Sequence, residues 1–199
     1  MKRQSVLQII IFIFCLCANC NRKYEKLEEE VINDVLNDFL IKYQIDFSNI
    51  PMPDSINALV KKVAKDTNNL GVYVSDALLP IAQLKEDNEW MFSGELSDNP
   101  VSREIVNSIN FKELPYREFN KERLNIITPY VQLKRSKDRI SSDKQYSIFH
   151  FSRVCFDKKM ENAVLVIEYG RGFESGSMSG YFGALLVEKR GENWKIVER

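Results

Sequence analysis

Apolar residues recur every three or four positions through YEKLEEEVINDVLNDFLIKY (24–43), at Leu27, Val31, Ile32, Val35, Leu36, Phe39, Leu40 and Tyr43. That period gathers them on one stripe of an amphipathic helix, with Glu28, Glu29, Asn33, Asp34 and Lys42 assigned to the solvent side. Acidic residues at the start and Lys42 near the end suit the helix dipole. Pro51 and Pro53 stop the pattern, and Asp54 or Ser55 can cap a second helix over INALVKKVAKD (56–66), where Ile56, Leu59, Val60 and Val63 share a side. GVYVSD (71–76) then reads as a short strand, and Pro80 argues against a central strand through 78–84. The pattern is weakest from 85 to 145. There EWMFSGEL (89–96) suggests a strand, SREIVNSIN (102–110) a short helix and ELPYREF (113–119) loop. ITPYVQLKRS (127–136) suggests loop leading into strand, and Ser141 to Lys144 a polar turn.

From Tyr146 onward the chain is β-branched and aromatic-rich. SIFHFSRVCF (147–156), AVLVIEY (163–169), GYFGALLVEKR (180–190) and NWKIVER (193–199) are separated by turn residues, among them Asp157 to Asn162 and Arg190-Gly191-Glu192-Asn193. Connections this short cannot carry a parallel crossover, so these segments predict an antiparallel meander closed by Trp194, the expected core aromatic. The N-terminal helix needs an apolar surface to cover, and one face of the meander supplies it. The expectation is a single α+β domain over 24–199, with amphipathic helices packed on one side of the sheet.

The first twenty residues, MKRQSVLQIIIFIFCLCANC, change the picture of where this domain sits. Lys2 and Arg3 precede an apolar run from Val6 to Cys17 broken only by Gln8, the build of an export signal. About twelve residues span roughly 18 Å as a helix, too short for a bilayer core of about 30 Å. Leu16-Cys17-Ala18-Asn19-Cys20 resembles a bacterial lipobox, although Cys17 and Asn19 depart from its commonest residues. The resemblance implies a signal over 1–19, lipidation of Cys20, a tether over 20–23 and attachment to a membrane through acyl chains. It implies the bacterial envelope as the location, most simply the outer membrane with the domain facing the periplasm.

Lys+Arg and Asp+Glu balance at 28 each in the full sequence, and removing residues 1–19 takes only Lys2 and Arg3, leaving 26 against 28, a net −2. No basic excess points to nucleic acid. Of the four cysteines, two leave with the signal and one carries lipid, so Cys155 stands alone and neither an internal disulfide nor a cysteine-metal cluster can form. Scattered carboxylates and one histidine offer no metal-ligand spacing, and no cofactor motif is present. Glu28, Glu29 and Glu30 are consecutive on a helix and fan out, which reads as a solvated face.

FSRVCFDKKMENAVLVIEYG, followed by a glycine-rich segment and YFGALLVEKRGENWKIVER, resembles the closing sheet of many bacterial envelope lipoproteins. More distantly it is similar to the last strands of nuclear-transport-factor-2-like and cystatin-like α+β folds. The glycine-rich segment itself, YGRGFESGSMSGYFG (169–183), contains a G-x-G spacing. A phosphate cradle would need a following helix whose N-terminal N–H groups converge on the anion. YFGALLVEKR reads as strand, so the glycines are assigned to a long hairpin connection. Arg171, Phe173, Glu174 and Met178 at its tip are candidate contacts for a protein or small ligand.

His150 is the one histidine and the one candidate general base. A hairpin turning near Lys159 places it beside Glu168 or Tyr169, so a His150–Glu168 pair is the only catalytic candidate. Cys155, five residues along the strand, is expected on the opposite face from His150, with Arg153 on its own face. Its apolar neighbours make it a buried thiol. Trp90-Met91-Phe92 and Tyr181-Phe182 are candidates to line a sugar or peptide groove, although aromatics commonly fill cores. Three classes follow: a non-enzymatic binding or accessory module, which the sequence favours; an envelope hydrolase using His150 with a carboxylate; and an inhibitor or immunity-type protein that caps another protein. An exposed aromatic patch on an open sheet face separates the first from the others.

Overall fold

The computed structural model describes residues 2–42, 70–127, 130–134, 145–173 and 178–198. Helix α1 (Lys2–Lys42) leads to strand β1 (Leu70–Leu79). Short helices α2 (Ile81–Asp87), α3 (Glu95–Asp98), α4 (Pro100–Val106) and α5 (Ile109–Glu113) follow. The remaining strands are β2 (Arg117–Glu118), β3 (Tyr130–Leu133), β4 (Gln145–Ser152), β5 (Cys155–Phe156), β6 (Asn162–Phe173), β7 (Met178–Arg190) and β8 (Asn193–Glu198). The architecture is α+β, a helix followed by a large sheet of order β2-β1-β4-β6-β7-β8, with β3 also on β1 and β5 on β6.

The predicted meander is present: β4, β6, β7 and β8 pair antiparallel in turn. Its partner on the other side is different in kind. β1 runs parallel to both β3 and β4, because the long connection between them, with its helices, can make the crossover that a tight turn cannot. β1 ends at Leu79 and Pro80 sits at the N-cap of α2. The strand expected over 89–96 is instead a 3₁₀ turn at Glu89–Phe92 followed by α3. Gly94, at φ 66°, breaks the extended backbone there and stands at the N-cap of α3. The helix expected over 102–110 is split: Asn99 caps α4 by accepting the N–H groups of Val101 and Ser102, and Ser108 caps α5 through the N–H of Phe111. The second helix predicted at 56–66 and the turn at 141–144 lie outside the described residues.

α1 buries the stripe that its periodicity predicts. Val31, Ile32, Val35, Leu36 and Phe39 are all essentially inaccessible, packed on one sheet face against residues such as Phe149, Leu165 and Trp194. The helix does not begin at Tyr24 with an acidic first turn; it runs unbroken across 20–23, so the tether is helical. A second correction concerns the other sheet face. Helices do not lie on one side only. Ile81, Met91, Phe92, Leu96, Ile105 and Phe111 from the short helices cover Cys155, Val164, Val166, Ala184 and Leu186. The continuous apolar run Ala163 to Ile167 already carried that information, since a strand covered on both faces does not alternate.

The polar side of α1 is used as well. Asn33 accepts the N–H of Asn125, Asn37 donates to the Asn125 carbonyl and accepts the N–H of Ile127, and Asp34 accepts the N–H of Trp194 at 2.7 Å. Asn33 and Asp34, which the pattern assigned to solvent, thus join Asn37 in holding the main chain of two other segments. The Asp34 contact also takes up an outward N–H on the edge strand β8, which otherwise invites pairing with another chain.

Candidate functional site

The side chains on each sheet face are decided by one irregularity between β4 and β5. His150 pairs with Glu168 and Phe151 with Ile167, whereas Cys155 pairs with Val164. The step from Phe151 to Cys155 takes four residues and the matching step on β6 takes three. One extra residue is a β-bulge, and it exchanges the faces of everything beyond it. Ser152 fills the bulge: its Oγ accepts the N–H of Val166 and donates to the Arg153 carbonyl. Two expectations are overturned here. Cys155 lies on the same face as His150, and Arg153, directed to α1, lies on the other.

The face that carries His150 holds the best candidate for a site. His150, Glu168 and Phe182 stand opposite one another across three strands as a single row. The indole of Trp90 meets the Phe182 ring edge-on, centroids 6.2 Å apart, and Trp90 is 61% exposed. The next row is Ile148, Gly170 and Gly180, so beside the polar and aromatic row the sheet presents two positions without side chains. A Cβ at Gly180 would come 2.5 Å from the Tyr169 carbonyl, so this ladder requires glycine. The remaining candidate aromatics do not join the row. Met91 and Phe92 are buried, and Tyr181 points to the opposite face and packs on Phe39 at 5.6 Å.

The pairing of His150 with Glu168 was legible, but the groups make no hydrogen bond to each other among the described residues. Ser152, next along the same face, has its hydroxyl fixed in the bulge. Cys155 is four β6 positions away, about 13 Å. It is buried and 3.8 Å from Ser108 Oγ, and burial pushes its thiol up to about 11. Neither Ser152 nor Cys155 is therefore placed to act with His150. The row brings together one exposed ring, Trp90, the half-buried Phe182 and His150, and the exposed carboxylate of Glu168 beside the glycine positions.

The opposite face holds a constellation that periodicity missed. Glu28 is completely buried; its Oε1 accepts from Arg153 Nε and from the Val154 N–H, both at 2.8 Å. Its Oε2 lies 3.0 Å from Arg117 Nη2, and Arg153 Nη1 donates to the Pro115 carbonyl at 2.7 Å. Tyr24 donates its hydroxyl to the Val154 carbonyl, and burial raises its phenol well above the ordinary value. Glu28 was assigned to a solvated face, yet it precedes Val31, Ile32 and Val35 by three, four and seven residues. That spacing places it on the apolar stripe. Next to this cluster a cleft of about 650 Å³ is walled by Glu25, Glu29, Asp76, Tyr116, Arg117 and Glu118.

The hairpin tip is shorter than expected. Arg171 and Phe173 belong to the end of β6 and Met178 to the start of β7, with Ser179 opposite Arg171 and Met178 opposite Gly172. Glu174 lies outside the described residues, so the candidate tip contacts are ladder positions or undescribed. The following segment is strand β7, as its pattern predicts, and a helix-terminus phosphate cradle does not form there. Cys20 lies within α1, one turn before Tyr24. Among the described residues no group of histidine, cysteine or carboxylate side chains is placed to hold a metal ion. Among them, too, no helix is long and apolar enough to cross a membrane. The sequence matches no protein-family model, and no curated protein matches it.

Proposed function

We propose that this chain is a bacterial envelope lipoprotein, cut before Cys20 and held by acyl chains on that residue, whose α+β domain binds a ligand or partner without transforming it. The binding reading rests on one observation, the exposed Trp90 against Phe182 in line with Glu168 and His150. Aromatic faces beside hydrogen-bonding groups suit a sugar or an extended peptide segment laid over the glycine floor. The anchoring reading is supported by LCANC and by where packing starts: Tyr24, whose ring meets Phe156 at 5.1 Å, is the first described side chain held by the domain. Cleavage before Cys20 removes none of the described core. The location that follows is the envelope, with the outer membrane and a periplasmic domain as the simplest arrangement.

Two experiments test the two parts. Cells fed a radioactive fatty acid should label the wild-type chain and not Cys20→Ala; label retained on the variant would sink the anchor. Glycan and peptide arrays should retain the wild type and lose Trp90→Ala by about tenfold or more, as for a central aromatic contact. Equal retention of the two would remove the row from the site.

A further inference from the structure

The charge of α1 reverses along its length. Residues 20–26 carry Arg22, Lys23 and Lys26 against a single acid, Glu25, whereas residues 27–38 carry five acids and no base. In a chain cut before Cys20, Arg22 and Lys23 stand in the first turn of the helix, where cations oppose its dipole; Lys26 lies 3.7 Å from Glu30 on the same helix, an exposed pair of little strength. All three are exposed, the Lys26 side chain at 78%. At 100° per residue they fall on one side of the first two turns.

A second element adds to this end of the domain. Tyr24 packs on Phe156, and the turn that follows Phe156 presents Lys158 and Lys159, both exposed. The Lys158 ammonium is 3.5 Å from Glu104, an exposed pair of little strength. Arg22, Lys23 and Lys159 make no ion pair among the described residues. Five cations thus come from two segments that meet at the Tyr24–Phe156 contact, toward the end of the domain from which the chain runs to Cys20. Along the helix, Lys26 is about 9 Å from Cys20, within one Debye length at 0.1 M salt, about 10 Å.

We infer that this basic end, Arg22, Lys23, Lys26, Lys158 and Lys159, is a membrane-contact surface that seats the domain on anionic phospholipid headgroups around its own anchor. The inference rests on the lipid anchor at Cys20. Acyl chains confine the domain to the leaflet; the cations then fix which end faces it, leaving the Trp90 row at the side of the sheet accessible. Each basic residue close to an anionic surface favours contact roughly fivefold at low salt.

The mature protein from the full-length gene, reconstituted in vesicles, provides the test. One set is pure phosphatidylcholine and the other an equal mixture with phosphatidylglycerol. Acetylation of Lys23, Lys26, Lys158 and Lys159 is followed by mass spectrometry against Lys42, sixteen residues beyond Lys26 on the helix. The four amines should react at least about threefold more slowly in the anionic vesicles, with Lys42 unchanged. Protection should vanish in about 1 M salt, where the Debye length falls to about 3 Å. Equal rates in both vesicles, on protein whose intact mass shows acylated Cys20, overturn the inference and leave the anchor standing. A mature chain without acyl mass overturns the anchor and the inference together.

Discussion

The two faces of the sheet are closed by different means. One long helix covers the first, and it is held by polar side chains as well as by its apolar stripe: Glu28, Asn33, Asp34 and Asn37 all bond to main-chain groups of other segments. Short helices cover the second with an apolar cluster, which reaches as far as Phe182 and leaves Glu168 of the same row exposed. Directional bonds fix where a helix sits, whereas apolar burial is non-directional. The face with fixed register has its open cleft at the rim, among Glu25, Glu29, Asp76 and Arg117, and not on the sheet itself. The face with the looser cover leaves Trp90 and Glu168 exposed, and the proposed recognition residues lie there.

The sharpest way to break this contrast is Glu28→Ala. The substitution leaves Arg153 and Arg117 without their buried counter-charge, so urea unfolding should show a loss of about 3–5 kcal/mol. The bulge should loosen with it, because the Val154 N–H loses its acceptor. A loss under about 1 kcal/mol, the range of surface pairs, would mean that the cluster does not fix α1.

The register beyond the bulge is held from its other side by Asp157, and here the expected effect is smaller. Its Oδ1 accepts the N–H of Glu161 and its Oδ2 the side-chain amide of Asn162. Partial burial pushes its carboxyl up, but these hydrogen bonds outweigh burial and hold it below the ordinary carboxylate range. A depressed folded value means that the contribution is present above the unfolded value and is lost as pH falls through the folded one. Asp157→Ala should cost about 1 kcal/mol near neutrality, and the two stability curves should converge in acid. A difference that stays constant with pH would show that the charge on Asp157 does not contribute.

The legible part of this molecule was what period reports directly. The stripe on α1 and the meander follow from spacings of 3.6 and 2, and the position of the turn near Lys159 put His150 beside Glu168 or Tyr169, of which Glu168 is its partner. The bulge was not legible, because a single extra residue leaves local alternation intact while exchanging every face beyond it. Thus Cys155 and Arg153 were assigned to the wrong sides. Glu28 was assigned outward from its charge although its spacing places it inward; its partners Arg117 and Arg153 are far apart in sequence, and nothing local announces that three charges will meet. The parallel pairing of β1 with β4 is equally non-local.

The smallest expected effect gives the cleanest view of the two faces, since each carries one of the two tryptophans. Trp194 is 1% exposed on the α1 side, its ring 5.6 Å from Phe156, and Trp90 is 61% exposed on the other. Iodide should therefore quench the native emission in two components, one accessible and one protected. Trp90→Ala should leave only the protected component and change stability by no more than about 0.5 kcal/mol, as surface substitutions do. A larger loss would mean that Trp90 acts as a core side chain, and the aromatic row would then be packing. Small cost together with lost retention on a glycan or peptide array is the combination that separates a recognition surface from a structural one, because a core aromatic cannot be removed so lightly.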